Sequence, residues 1–280
     1  MLQFLTYLFI AIYTATIIGI ILVVISGNRN PLKAIPWVIV LIFAPGIGLV
    51  VYFFFGQDLR RKRIISRRTY KRIMVYALPA HVRRSDAPVP AAYQPLAALL
   101  SNTSQAVSFY GSRLTHYGDG ASKMTALLEE IEKARDHIHI LYYILCDDET
   151  GTCLQQAMIR KAKEGVKVRV LYDDVGCNGV KKEFFQQMRD AGAEVHALLH
   201  VRFPMLTDRV NYRNHRKIVV IDGRVGFFGG MNIADRYVKG PGWGVWRDNH
   251  FKVEGKGVYG LQSAFLVDWS TVDRVRLDRS

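Results

Sequence analysis

A β-branched run followed by a tight-turn signal constrains the fold of this chain more than any other feature. Ile218 to Ile221 is such a run, and β-branched residues favour a strand. Asp222-Gly223 is a strong signal for a two-residue type I′ turn, because both central residues of that turn need a positive φ. Val225 to Phe228 then supplies the returning strand. We therefore predict a β-hairpin in which Ile221 faces Arg224.

This predicted register brings an imidazole, an ammonium and a carboxamide together. Counting back places Lys217 opposite Phe228 and His215 opposite Gly230, with Asn232 on the same face. A cation and an amide donor beside a histidine suit a phosphate, whose oxygens Lys217 and Asn232 would hold while His215 attacks phosphorus or moves a proton. His215 and Lys217 are therefore candidate catalytic residues, and Lys217, Gly230 and Asn232 are candidate phosphate-binding residues.

Two other residue types complete the pattern His-x-Lys-x4-Asp-x6-Gly-Gly-x-Asn. Gly229-Gly230 would let a bulky ligand approach the backbone. Asp222 is the remaining catalytic candidate, but its place in the turn favours a structural or orienting role first. A lone His-x-Lys would more often face solvent on an amphipathic hairpin, and the full pattern is far more specific.

Composition points to an anionic partner. The formal net charge is +14 and the pI is near 9.8, which suits nucleic acid or an acidic membrane surface. The three cysteines are odd in number and lack the paired spacing of a zinc site, so we expect reduced thiols and no metal or other cofactor.

Two apolar runs open the chain. Residues 1–27 carry no charge, and Leu2 to Ile25 is long enough to cross a bilayer as a helix. A secretory signal peptide is the alternative, but there is no basic start and no small-x-small cleavage site. The second run, Ala34 to Gly56, contains prolines and glycines, so a kinked or re-entrant segment is the alternative to a second span. We predict that residues 1–56 form two transmembrane helices.

A basic cluster follows the second run, and it predicts the topology. The positive-inside rule places this flank in the cytoplasm, and a two-span hairpin then places both termini and the domain that follows there too. Such a cluster is also attracted to anionic headgroups. Residues 57–95 are then a juxtamembrane segment and linker. The cluster begins with Arg60, Arg61, Lys62 and Arg63.

Residues 96–270 alternate short apolar strands with helices, which is typical of βαβ crossovers. The predicted elements include a helix that ends at Gly165, a strand from Val166 to Tyr172 and a closing helix from Tyr259 to Trp269. We predict an α/β domain with a mixed, mostly parallel sheet flanked by helices, and a polar tail at 271–280. Asp173 and Asp174 end a predicted parallel strand, where they would bind a ligand or cap the next helix. His250 lies on an edge or half-buried strand, and a structural role is favoured for Asp248.

The signature around His215 resembles that of the phospholipase D superfamily. Further segments resemble bacterial cardiolipin synthases, including their N-terminal membrane hairpin: Arg29 to Pro31, Ala34 to Trp37, Pro45 to Gly56, Tyr172 to Gly176, Tyr212 to Lys217, Gly229 to Asn232 and Trp246 to Asp248. The resemblance implies phosphatidyl transfer between two phosphatidylglycerol molecules, giving cardiolipin and glycerol without a metal or nucleotide. It also implies that His215 forms a phosphohistidine or protonates the leaving alcohol, and that the chain is a multi-pass protein of the bacterial inner membrane with its catalytic domain on the cytoplasmic side.

The chain departs from that family in one respect. Cardiolipin synthases resemble a tandem of two domains, each with such a His-x-Lys motif, whereas this chain has the full pattern His-x-Lys-x4-Asp-x6-Gly-Gly-x-Asn once, from His215, and stops soon after it. Three hypotheses follow: a homodimer that shares a site, a half-enzyme that is inactive or needs a second-half partner, and a membrane-anchored phosphodiesterase or nuclease. The apolar runs and the extent of the resemblance favour lipid over nucleic acid as the partner.

Overall fold

The computed structural model describes residues 2–27, 31–52, 89–104, 106–200, 213–242, 244 and 246–272. The chain divides into two compact units, one of Met1–Arg63 with Val201–Tyr212 and one of Ile64–His200 with Arg213–Ser280. The predicted basic cluster at residues 60–63, most of the predicted linker and the end of the predicted tail lie outside the described residues.

The described part of the first unit is helical. Its helices are α1 (Leu2–Gly27), α2 (Pro31–Phe43) and α3 (Pro45–Val51). The second apolar run is therefore not one continuous helix. It breaks at Ala44, just before Pro45, whose ring disfavours helical geometry in the preceding residue.

The membrane prediction for these helices is not confirmed. Judged by length and apolar character together, none of the helices in the described ranges qualifies as a membrane span. Within this unit, Leu41 and Ala34 are buried, and the Trp37 and Tyr52 rings meet edge to face at 5.4 Å.

The second unit is built on a seven-stranded sheet. Its strands are β1 (Arg113–Tyr117), β2 (His137–Tyr142), β3 (Lys167–Asp173), β4 (Glu194–Leu198), β5 (Ile218–Ile221), β6 (Val225–Gly229) and β7 (His250–Glu254). Their order in the sheet is β1-β7-β6-β5-β2-β3-β4. The prediction of a mixed sheet flanked by helices is confirmed, but the expectation that it is mostly parallel is wrong. The β2–β3 and β3–β4 pairings are parallel and the other four are antiparallel, because the β5–β6 hairpin pairs with β2 and β7 then pairs with β6.

Helices cover both faces of this sheet because its strands alternate apolar side chains on both sides. In β2, Ile138, Ile140 and Tyr142 belong to the larger core, while Leu141 belongs to the core on the other face. The α-helices described in this unit are α4 (Gln94–Ser104), α5 (Gly120–Glu132), α6 (Glu149–Lys163), α7 (Lys182–Asp190), α8 (Asp235–Val238) and α9 (Val258–Trp269). Helices α5, α6 and α7 pack into the first core and α9 into the second.

The predicted hairpin forms, with a register one residue different from the expected one. Asp222 and Gly223 both have positive φ, at 51° and 62°, as a type I′ turn requires. However, Ile221 pairs with Val225 and Ile218 with Phe228, so Arg224 is an additional residue in the connection. The shift places Lys217 on the face of Gly229 and not on that of Phe228 and Gly230.

Candidate active site

The candidate site forms where the end of β2 meets the start of β5. These strands are antiparallel and Leu141 pairs with Ile218, so the residues just after β2 lie beside those just before β5. The exposed imidazole of His215 stacks on the Tyr143 ring, with 3.9 Å between ring centroids and 20° between planes. The Lys217 ammonium lies 5.4 Å from the centre of the same ring. The histidine and lysine of the motif therefore share one aromatic neighbour.

Lys217 is a buried cation that leaves donors available. Its Nζ donates a 2.7 Å hydrogen bond to the carbonyl oxygen of His215, and an ammonium has three N–H donors. Burial lowers the pKa of Lys217, and the nearby Asp248 carboxylate acts in the opposite direction. An anion bound at this point would supply the countercharge that burial makes favourable.

Asn232 reaches the same place from the segment after β6. That segment runs beside the end of β2, where the Ile233 N–H donates to the Ile144 carbonyl at 3.2 Å. The Asn232 Oδ1 accepts from the Ile144 N–H at 3.1 Å, and its Nδ2 donates to the Tyr237 hydroxyl at 2.7 Å. Asn232 is thus held directly after Tyr143, and its amide keeps a second N–H. The structure brings His215, Lys217 and Asn232 together around residues 143–144.

The two glycines of the motif make room for protein side chains, which differs from their predicted role. A Cβ on Gly229 would lie 2.7 Å from the His250 Nδ1, and a Cβ on Gly230 would lie 2.0 Å from an Asp248 oxygen. The Gly230 N–H donates to the Asn249 carbonyl. Gly230 therefore admits the Asp248 carboxylate, and its backbone donor is not available to a phosphate.

His250 is a fully buried histidine behind Lys217. It begins β7, which lies between β1 and β6 and is only partly buried along its length, so of the two alternatives predicted for this strand the edge is wrong and the half-buried strand is confirmed. Burial, followed by the charges of Lys123 and Lys217, lowers the pKa of His250 to about 2, so the imidazole is neutral in the folded chain. Apart from the alternation of β7, nothing in the sequence indicated that His250 is buried.

Asp222 lies away from the other motif residues, and its contacts are structural. Asp222 follows β5, whereas His215 precedes that strand. A four-residue strand at about 3.3 Å per residue separates the two by roughly 13 Å. Its carboxylate accepts the backbone N–H groups of Arg135, Asp136 and His137, at 2.8 to 3.3 Å. These bonds lower the pKa of Asp222 against the opposing effect of burial. The structure gives Asp222 an anchoring role at the start of β2.

Asp173 anchors the segment that carries His215. Its fully buried carboxylate accepts from the Asn214 N–H at 3.2 Å and pairs with the Arg213 guanidinium at 3.3 Å. From α9, Asp268 accepts from the Asn214 side chain at 2.9 Å and from Arg216 at 2.6 Å. The position of Asp173 at the end of a strand marked it in the sequence as a candidate site residue. No comparable pattern in the sequence marked Tyr143 or Asp268.

The described residues contain no group of three or more His, Cys, Asp or Glu side chains arranged to hold a metal ion. The chemical groups that the site offers are thus one exposed imidazole, one buried ammonium, one amide and the Asp248 carboxylate, which is half-buried.

Comparison with known proteins identifies the family. Residues 127–242 match the family model described as the cardiolipin synthase, PLD-like domain, and residues 12–57 match the phospholipase D-nuclease N-terminal model. This chain carries a phospholipase D-like domain of the cardiolipin synthase family. The major cardiolipin synthase ClsA of Bacillus subtilis is 37% identical over 259 residues, which is 89% of this chain and 54% of that protein. A cardiolipin synthase of Listeria innocua is 34% identical, over 95% of this chain and 57% of that protein.

The chain therefore spans about half the length of the curated relatives it matches. The resemblance to cardiolipin synthases inferred from the motifs is confirmed. Because the match covers only part of each relative, similarity alone does not give this chain the activity of those proteins.

Proposed function

We propose that this chain is a phosphatidyltransferase that forms cardiolipin and glycerol from two phosphatidylglycerol molecules, with His215 as the covalent nucleophile. The observation that carries the proposal is the convergence of an exposed imidazole, a buried ammonium and an anchored amide at the end of β2. These groups suit a phosphodiester, whose oxygens Lys217 and Asn232 would hold while His215 faces phosphorus.

In the first step, a nitrogen of His215 attacks phosphorus and forms a P–N bond. The P–O bond to the glycerol headgroup breaks, and the departing oxygen takes a proton from a general acid. In the second step, a headgroup hydroxyl of another phosphatidylglycerol attacks phosphorus, the P–N bond breaks and the proton returns to the same group. Lys217 stabilises the charge on the phosphoryl oxygens in both steps.

Among the described residues at the site, we assign none as the general acid. The motif supplies one His215 per chain, and His250 is buried and neutral, which makes it a poor proton donor. We therefore assign the second imidazole to another His-x-Lys motif, contributed by a second copy of this chain in a two-fold dimer or by a second-half partner.

Access to a lipid substrate calls for membrane association. The match of residues 12–57 to the N-terminal family model and the uncharged residues 1–27 support anchoring through the first unit. Its helices expose large apolar side chains, including Phe4, Tyr7 and Phe43. With the basic cluster from Arg60 to Arg63, the positive-inside rule supports a location at the inner membrane with the catalytic domain on its cytoplasmic side.

Product analysis on phosphatidylglycerol vesicles tests the proposal. Purified full-length chain is expected to release glycerol and form cardiolipin, and His215→Ala is expected to form neither. His200→Ala, which removes an exposed histidine paired with Asp174, is the matched control. Wild-type product no higher than that of His215→Ala would refute stand-alone synthesis. Cleavage of DNA in place of lipid transfer would identify the nuclease alternative.

A mixing experiment tests the origin of the second histidine. Wild-type and His215→Ala chains are combined in different ratios before reconstitution, and initial rates are measured. If two copies of His215 complete one site, the rate falls with the square of the wild-type fraction. A linear fall would contradict the homodimer and leave the second-half partner, whose addition should then raise the rate.

A further inference from the structure

Tyr143 lies against both His215 and Lys217 of the motif, although the proposed chemistry assigns it no role. Its ring lies face to face with the His215 imidazole at 3.9 Å, and the Lys217 ammonium is 5.4 Å from its centre. His215 is otherwise on an irregular, exposed segment before β5, where nothing in regular secondary structure orients the ring. In the part of the chain that the structure describes, the Tyr143 ring is the aromatic neighbour against which the imidazole lies.

A single turn holds both partners of this stack. On one side, the buried Asp173 carboxylate accepts the Asn214 N–H at 3.2 Å, which anchors the residue just before His215. On the other side, Gly176 lies against Tyr143, since a Cβ there would be 2.0 Å from the Tyr143 carbonyl oxygen and 3.0 Å from its ring. Asp173 also binds the N–H groups of Val175 and Gly176, each at 3.0 Å, so the turn is closed on itself.

Charge develops on the imidazole in the proposed reaction. When an uncharged imidazole attacks phosphorus, the P–N bond takes an electron pair from the ring, and the ring becomes positive. The negative face of an aromatic ring stabilises a cation placed over it, and the effect is larger where water is excluded. Tyr143 is half-buried, so its ring is placed to stabilise the charged imidazole more than the neutral one.

We propose that Tyr143 is a positioning residue that orients His215 by stacking and stabilises the positive charge formed on it, and that the Asp173–Gly176 turn holds the pair in register. This inference rests on the proposed function for its effect on rate, whereas the stacking itself does not depend on activity.

Three variants of the full-length chain separate the ring from the hydroxyl. Tyr143→Phe keeps the aromatic face and is expected to retain the wild-type kcat. Tyr143→Leu removes it and is expected to lower kcat by roughly 3- to 30-fold, the range of a partly desolvated cation–π contact, with KM unchanged. Tyr172→Leu is the matched control, because it removes a half-buried tyrosine of the same domain that stacks on Phe185 at 3.8 Å. It is expected to retain kcat.

Proton NMR of histidine-labelled protein tests the stack directly, with the His215 signal assigned from its loss in His215→Ala. The imidazole resonance should be shifted upfield by the Tyr143 ring in wild type and Tyr143→Phe, and should lose that shift in Tyr143→Leu. An unchanged His215 resonance in Tyr143→Leu, or equal loss of kcat in the Phe and Leu variants, overturns the proposal. If the wild type forms no cardiolipin, the proposed function fails while the NMR result still decides the positioning role.

Gly176→Ala provides an independent test from outside the site. The added methyl group would displace Tyr143, so we expect the His215 resonance and kcat to change as in Tyr143→Leu, at unchanged KM. A folded Gly176→Ala variant, checked by circular dichroism, with wild-type resonance and kcat would refute the role of the turn.

Discussion

Lys123 on α5 is a fully buried lysine, and replacing it by methionine should stabilise the protein in a pH-dependent way. Its ammonium contacts the Met124 sulfur at 3.6 Å and lies 5.0 Å from the centre of the Tyr142 ring. Burial lowers the pKa of Lys123 to about 7. Methionine has a similar length and no charge to desolvate, so we expect Lys123→Met to raise the free energy of unfolding at neutral pH.

The pH dependence follows from the two pKa values. Between pH 7 and the unfolded pKa of about 10.4, the unfolded chain holds a proton that the folded chain has lost. Stability of the wild type therefore rises with pH in this window, with a limiting slope of about 1.4 kcal/mol per pH unit, or about 2 kcal/mol from pH 7 to pH 9. Methionine lacks this dependence, so its advantage over lysine should shrink by about 2 kcal/mol between these pH values.

Urea unfolding of full-length protein in detergent micelles, followed by tryptophan fluorescence, measures this difference at pH 7 and pH 9. Taking the difference between variant and wild type cancels the other titrating groups. Lys163→Met removes an exposed lysine of α6 and is the matched control, expected to show no such change. A stability difference for Lys123→Met that is equal at both pH values, or larger at pH 9, would refute the reasoning.

Three further outcomes are expected. Asp222→Asn should lower the free energy of unfolding by about 2–3 kcal/mol, because charge-assisted bonds to three backbone N–H groups are weakened, while kcat of the folded fraction stays unchanged. Gly230→Ala should lower kcat strongly in a protein that still folds. Its methyl group would displace the Asp248 carboxylate, which lies near Lys217 at the site. A kcat equal to that of the wild type would contradict this. His250 is neutral when folded, so from pH 7 to pH 5 the wild type should lose about 2 kcal/mol more stability than His250→Gln in urea titrations.

Local patterns predicted the elements of the second unit well. The predicted strand from Val166 to Tyr172 and the closing helix from Tyr259 to Trp269 each match the structure to within one residue at each end. Gly165, predicted to end a helix, has a φ of 89°. These features depend on the periodicity of apolar residues and on the backbone preferences of residues close together in the chain. Both can be read from the sequence alone.

Pairing between distant segments was predicted less well. The sheet contains more antiparallel than parallel pairs because β5, β6 and β7 all join one side of β2, an arrangement that helix–strand alternation does not reveal. The register of the hairpin differs by one residue, which changes the face of every side chain compared across it.

The sequence by itself determined the family, and its motif pointed to three residues that lie around residues 143–144: His215, Lys217 and Asn232. His215 and Lys217 are close because they alternate on one short segment before β5, whereas Asn232 is held there because its segment bonds to the end of β2. Three contacts could be seen only in the tertiary structure. Asp222 anchors the start of β2, the Asp248 carboxylate lies against Gly230, and the Tyr143 ring stacks on His215. Each of these contacts joins residues that are far apart in the chain, and such contacts form only when the whole sheet has been assembled.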